Sequence, residues 1–237
     1  MKRLLPFIII LGVLGVAVGG VLYMTRSNSG GGSSASSGNT SPQAKASPAP
    51  TLGPVKPGVP GADPPHTTGL ATAPVRIEEF GDFECPPCGA FHPILKKMRE
   101  EYGDKLYITF REYPLPIHDH AIPAASAAEA AGMQGKFWEM HALIFEHQNE
   151  WKVAFDVRPI FEGYAKQIGL DVERFKRDVN SDRVEQRIFL DGKRARSMGV
   201  NSTPTVFLND KEIPFTLLPE ESLRVLIDNE LRTASQK

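Results

Sequence analysis

Both cysteines of the 237-residue chain lie in one run of four, Cys85-Pro86-Pro87-Cys88, so no thiol is left over for a separate structural bridge. A secreted disulfide scaffold needs several spaced cysteines, which this chain lacks. Two thiols one helical turn apart can instead form and break a disulfide between themselves. The thiolate is the reactive form, and the start of a helix lowers a thiol's pKa through its unpaired N–H groups and its dipole. Pro86 suits the first position of a helix, where a missing N–H costs nothing. Cys85 is therefore read as the attacking thiol. Cys88, one turn later on the same face and more enclosed, is read as the resolving thiol of a mixed-disulfide mechanism.

Metal chemistry is the competing use of such a pair. A structural zinc ion takes four Cys or His ligands, and there is no second cysteine pair. His92, one turn after Cys88, completes at most a three-ligand set for a soft ion such as copper(I), which gives a copper-binding module as the reading from another class. His118 and His120 flank Asp119, but that spacing on a turn reads as a solvated loop. No metal and no cofactor is expected. A formal net charge of -1 gives no electrostatic reason to expect nucleic acid as a partner.

The elements that must position the thiols are legible on either side of them. Pro74 to Phe80 reads as a strand, and alternation places Val75, Ile77 and Glu79 on one face with Arg76, Glu78 and Phe80 on the other. An acid sharing a face with Val and Ile is unusual unless it is buried. From Pro86 to Glu101 the apolar residues Phe91, Ile94, Leu95 and Met98 fall at helical spacing, and Lys105 to Tyr113 reads as a second strand. Strand, helix, strand implies a right-handed parallel crossover. A helical region from about Asp119 to Ser197 opens with the alanine-rich stretch Ala124 to Ala131. Strands return at Thr205–Leu208 and Glu212–Leu217 around a turn at Asn209-Asp210, and a last helix runs from about Pro219 to Arg232. The class is α/β, with a helical insertion at about residues 115–199 splitting the strands.

Phe80-Gly81-Asp82-Phe83-Glu84-Cys85-Pro86-Pro87-Cys88, taken with Met198-Gly199-Val200-Asn201-Ser202-Thr203-Pro204-Thr205-Val206, resembles the DsbA-like thiol–disulfide oxidoreductase family. Arg111 to His118, Ala127 to Ala131 and Gly135 to Trp138 carry the same resemblance, which covers about Pro74 to Leu231. It implies a thioredoxin-like fold whose helical insertion forms a cap beside the cysteines. It also implies a cis peptide bond at Thr203-Pro204, with both residues against the Cys85–Cys88 disulfide and holding extended substrate. Glu79, six residues before Cys85, takes the position of a buried acid beneath the resolving thiol, where it would relay a proton to or from Cys88. The Pro86-Pro87 pair departs from the best-known members: it removes two backbone donors and supplies no histidine charge to steady a thiolate. The expected potential is correspondingly less extreme.

Leu4 to Tyr23 forms a run of weakly polar to apolar residues behind Lys2 and Arg3. About 20 residues of helix at roughly 1.5 Å each match the hydrocarbon core of a bilayer, and the leading charges favour an inside N-terminus. Ala17-Val18-Gly19 imitates a signal-peptide cleavage site, but the run continues past it. Residues 1–26 are therefore expected to be an uncleaved anchor, residues 27–69 a disordered Gly/Ser/Pro-rich linker and residues 70–237 the folded domain. Such a protein sits in the inner or cytoplasmic membrane with its domain on the periplasmic side, exchanging disulfides with exported cysteine-containing proteins and with a membrane redox partner. A reductase fed by a membrane electron donor is the alternative within the class. An isomerase is disfavoured, since that activity is often built on a dimerisation domain that the linker does not provide. The expected outcome of carbonate and high-salt washing is retention in the membrane fraction; a soluble product beginning near Gly20 would refute the anchor.

Overall fold

The structure is a computed structural model that describes Leu52 and residues 57–236. The expected anchor and most of the expected linker lie outside these residues. Five strands form one sheet in the order β1-β3-β2-β4-β5, with β1 at His66–Thr68, β2 at Val75–Gly81, β3 at Leu106–Glu112, β4 at Thr205–Leu208 and β5 at Lys211–Ile213. β2 and β3 run parallel, and their crossover is the helix α1, Pro86–Tyr102. All other pairings are antiparallel. The last helix, α8, spans Glu220–Ala234.

Val75 and Ile77 of β2, Leu106 and Ile108 of β3 and Val206 and Leu208 of β4 meet Phe91, Leu95 and Met98 of α1 and Leu223, Leu226 and Ile227 of α8 in a single buried cluster. Each of these side chains removes apolar surface from water, and the faces that carry them are those the period-2 and period-3.6 patterns mark. Asn209 and Asp210, at φ 45° and 63°, close the β4–β5 hairpin in the left-handed conformation that short polar side chains tolerate. β5 ends at Ile213, short of the expected Leu217, because Pro214 has no N–H to continue the ladder; a 3₁₀ turn at Phe215–Leu217 follows.

Between β3 and β4 the chain makes six helices: α2 Ala121–Gly132, α3 Phe137–Glu146, α4 Gln148–Trp151, α5 Arg158–Gln167, α6 Val172–Asp178 and α7 Asp182–Met198. The alanine-rich α2 is buried almost all round, as a helix apolar on every side must be. Its short side chains admit Phe137, Met140 and Ile144 of α3, Phe161 of α5, Phe175 of α6 and Ile188 of α7 into one core. Phe83, Cys85, Cys88 and Phe110 belong to this same core. The cysteines are thus packed into the insertion as well as mounted on the sheet.

The folded domain starts earlier than the expected boundary at Leu70. His66–Thr68 pairs with Phe110–Ile108, Trp138 Nε1 donates to the Thr67 carbonyl at 2.8 Å, and His66 and Arg187 both bond the buried Glu129. A three-residue strand of His and Thr carries no apolar alternation, so its pairing is invisible to periodicity. Ahead of it, Ala62 is sewn to the body by polar contacts: its N–H donates to Asp191 Oδ1 at 2.7 Å, and Arg111 bonds both its carbonyl and that same carboxylate. Asp191→Ala would remove one of the acceptors of the buried Arg111 guanidinium and the acceptor of the Ala62 and Glu112 N–H groups. Urea titration is expected to show a loss of about 3–5 kcal/mol, the usual cost of breaking a buried pair from one side.

Candidate active site

Cys85 is the N-cap residue of α1, with φ -66° and ψ 120°. Its N–H donates to the Asp82 carbonyl and its own carbonyl accepts the first helical bond from Gly89 N–H, both at 3.1 Å. Pro86 and Pro87 occupy the first turn without backbone donors, so Cys88 N–H is the first free to face the sulfur. The two sulfurs are unbonded thiols. Hydrogen bonding from the Cys88 thiol is the main influence that brings the Cys85 thiol down to about 6, helped by Thr203 and the Cys88 N–H and opposed by burial and the Asp82 carboxylate. Cys88, with no exposed surface, is pushed well above the ordinary range by burial, by its bond to Cys85 and by the charge of Glu79. The geometry separates the two acidities in the direction expected for attacking and resolving thiols.

Thr203-Pro204 is a cis peptide, and the Cys85 thiol donates to the Thr203 carbonyl at 3.3 Å. Thr203 Oγ1 is buried and has no partner in the dithiol. When Cys85 ionises it ceases to donate to the carbonyl, and the hydroxyl gains an anion to bond. Glu79 is 2% exposed, on the β2 face that also carries Val75 and Ile77. Burial first, and the nearby Cys85 second, raise its carboxyl to about 8. Cys85, Cys88, Glu79, Thr203 and Pro204, chosen from the sequence, are therefore assembled in one place.

His92 behaves otherwise. Its ring stacks on Phe145 at 5.2 Å and sits 5.3 Å from His141, and burial lowers its pKa. The copper set of Cys85, Cys88 and His92 is not assembled: among the described residues no group of three or more His, Cys, Asp or Glu is placed to hold a metal ion. His118 and His120 also depart from the expected solvated loop. His118 Nδ1 lies 2.7 Å from Asp82 Oδ2, the His120 N–H donates to Glu84 Oε2 at 2.6 Å, and His120 Nε2 bonds the Ala154 carbonyl at 2.9 Å. The loop is tied down because Asp82, wholly buried, needs donors: Glu84 N–H, Leu115 N–H and His118 supply them. Sequence reading passed over Asp82 and Gln148, although the carboxylates of Asp82 and Glu84 just ahead of the cysteines are a visible signal. Gln148 has none.

The site is thus a vicinal dithiol at the head of a helix, faced by a cis-proline loop and packed against a helical insertion, on a thioredoxin-like fold. Comparison with known proteins agrees. The thioredoxin family profile matches residues 62–229, and the chain belongs to that family. BdbD from Bacillus subtilis in its oxidised form is 25% identical, with a TM-score of 0.64 over 76% of this chain and 100% of that one. The α-DsbA1 protein of Wolbachia pipientis, at 21% identity and a TM-score of 0.63 over 73% of this chain and 94% of that one, shares the fold. Among curated sequences, a stretch of 163 residues is 39% identical to a Na(+)/H(+) antiporter NhaA 1 of Mycolicibacterium vanbaalenii, covering 67% of this chain and 24% of that protein. A second such antiporter, of Salinispora arenicola, is 41% identical over 150 residues, 63% of this chain and 22% of that protein. The chain thus spans about a quarter of the length of these relatives.

Glu79 provides a pH test. Its carboxyl ionises near 4.5 in an ordinary setting and near 8 here, so the folded state keeps a proton that the unfolded state has lost. The stability tied to the neutral carboxyl is complete below about pH 4.5, declines across the window to about 8 and is then constant. Glu79→Gln has no proton to lose. The stability of the native protein minus that of this variant should fall by a few kcal/mol between those limits in urea titrations; a flat difference would place an ionised Glu79 in the fold.

Proposed function

We propose that the chain is a membrane-anchored, extracytoplasmic oxidoreductase that donates the Cys85–Cys88 disulfide to exported proteins. One observation carries the reading: Cys85 caps α1 beside a wholly buried Cys88 one turn on, an arrangement that brings the first thiol down to about 6 and holds the second protonated. The more the reduced form is stabilised as a thiolate, the more strongly its disulfide oxidises others.

In the forward step a substrate thiolate attacks Cys85 of the enzyme disulfide. The new bond joins substrate sulfur to Cys85, and the electron pair of the broken bond leaves on Cys88. A buried sulfur anion is costly, and Glu79, neutral up to about pH 8, can give it a proton. A second substrate thiolate then attacks the substrate sulfur of the mixed disulfide, and Cys85 departs as the stabilised thiolate. The substrate is oxidised by two electrons and the enzyme dithiol is the reduced product. Returning Glu79 to its acid form needs one proton from solvent, and a membrane partner would reoxidise the dithiol.

The surroundings suit unfolded chains. The Thr203 backbone beside Cys85 offers hydrogen bonds to any extended peptide, whatever its sequence. Ile117, Val153 and Phe155 are among the most exposed apolar side chains, with Phe155 at 104%. They ride on the two segments joined by the His120–Ala154 bond, the first of them tied to Glu84 beside Cys85. Apolar residues flanking a cysteine are available in unfolded exported chains and hidden in folded ones. The anchor rests on the run Leu4–Tyr23, and no described helix is long and apolar enough to cross a membrane.

Equilibration with glutathione tests the direction of transfer. A value toward the oxidising end of the range, about -120 mV, would mark a donor, and one near about -270 mV would make the protein a reductant. Cys85→Ser should abolish exchange while Cys88→Ser accumulates mixed disulfides, and alkylation across pH should follow one thiol with a midpoint near 6. A midpoint that tracked Cys88 would reverse the roles.

A further inference from the structure

The turn that delivers Cys85 to the helix is gripped from the insertion by one side chain. Gln148, the first residue of α4, is buried, and its Nε2 donates to the Phe83 carbonyl at 2.7 Å and to the Cys85 carbonyl at 2.9 Å. Both amide hydrogens are thereby used on carbonyls that bracket the residue before the nucleophile. The carbonyl of Cys85 also receives the first helical bond. Gln148 is itself held in place, because Trp151 of the same short helix has no exposed surface and its Nε1 donates to the Ile144 carbonyl at 2.6 Å. On the other side, the carboxamide lies against Gly89: a Cβ there would stand 2.6 Å from Oε1 and 3.0 Å from Nε2. The absent side chain is what leaves room for the carboxamide.

We propose that Gln148 is a positioning residue for Cys85, through which the insertion sets the acidity of the attacking thiol. The proposal rests on the thiol–disulfide reading above. The two N–H bonds act through the backbone: they fix the Asp82–Cys85 turn, so that the sulfur stays within reach of the Cys88 thiol and N–H. Without them the Phe83 carbonyl loses its Gln148 donor and the Cys85 carbonyl keeps the Gly89 N–H, the turn relaxes toward other partners and the sulfur drifts from its own donors.

Two variants remove the grip by different routes. Gln148→Leu deletes the amide at similar volume. Gly89→Ala keeps the glutamine but displaces its flexible end, while placing a better helix former in α1. For both, the Cys85 midpoint, followed by thiolate absorbance, should rise by about one unit, a tenfold loss of thiolate in the range below it. The equilibrium constant with glutathione should shift about tenfold toward the protein disulfide, which is about 30 mV for this two-electron couple. Ile144→Val, which loosens the same insertion without touching the turn, should leave both quantities in place. If Gln148→Leu fails to fold, Gly89→Ala alone decides. A folded variant with an unchanged midpoint and an exchange constant within about twofold of the parent would overturn the proposal, as would an equal shift in Ile144→Val. The titration needs no turnover, so a protein inert toward substrates would sink the functional reading and leave this comparison standing.

Discussion

Cys88 cannot readily ionise, and the chemistry of the site follows from that. Enclosed on every side and facing the carboxyl of Glu79, it keeps its proton and offers it to Cys85. The hydrogen bond from a sulfur that must stay neutral is what makes its neighbour an anion near neutral pH. Each layer of the fold contributes to this inequality. The sheet buries Glu79, the start of α1 sets the two sulfurs one turn apart, and the insertion closes over Cys88 with Phe83 and Phe110 in the same core. Opening any of these to water would let Cys88 ionise and erase the difference on which directional exchange depends.

Much of this arrangement is legible in the sequence because it is written in short-range patterns. The cysteine spacing, the prolines that open α1, the strand faces of β2 and the Asn209-Asp210 turn are local, and the structure keeps all of them. Glu79 is legible too, since an acid alternating with Val and Ile has to be either buried or misplaced. The contributions of β1, Asp82 and Gln148 depend on partners far along the chain. Thr67 is fixed by Trp138, Asp82 by Leu115 and His118, and Phe83 by Gln148. A residue chosen for a partner 33 to 71 positions away has no period to betray it. His118 and His120 are misread for the same reason: a polar loop looks solvated until the buried acid that needs its donors is found.

The insertion carries a second lesson about polar burial. Asp82, Asp191 and Glu129 all lie inside, and each is met by several donors rather than one. Glu112, surrounded by these three carboxylates and without a hydrogen-bond partner, is instead driven to hold its proton by burial and by their charges. Against the cost of burial, the bonds and charges of His66 and Arg187 hold Glu129 below the ordinary carboxylate range, whereas burial lifts Glu112 above it, so the supply of N–H groups separates two neighbouring acids.

The first strand and the last helix of the described domain are tied down at different places. His66 lies against Phe110, near the finish of β3, and the residues before it run along α7 to place Gly58 beside Met198, just ahead of the cis-proline loop. That is the pole from which β2 delivers the sulfurs. Ala234 and Ser235 instead share a hollow with Pro74 and Lys105, where β2 and β3 begin. Cargo spliced after Ser235 would therefore hang from the pole where β2 and β3 begin, the far end of β2 from the one that delivers the sulfurs, and would leave the approach to Cys85 clear.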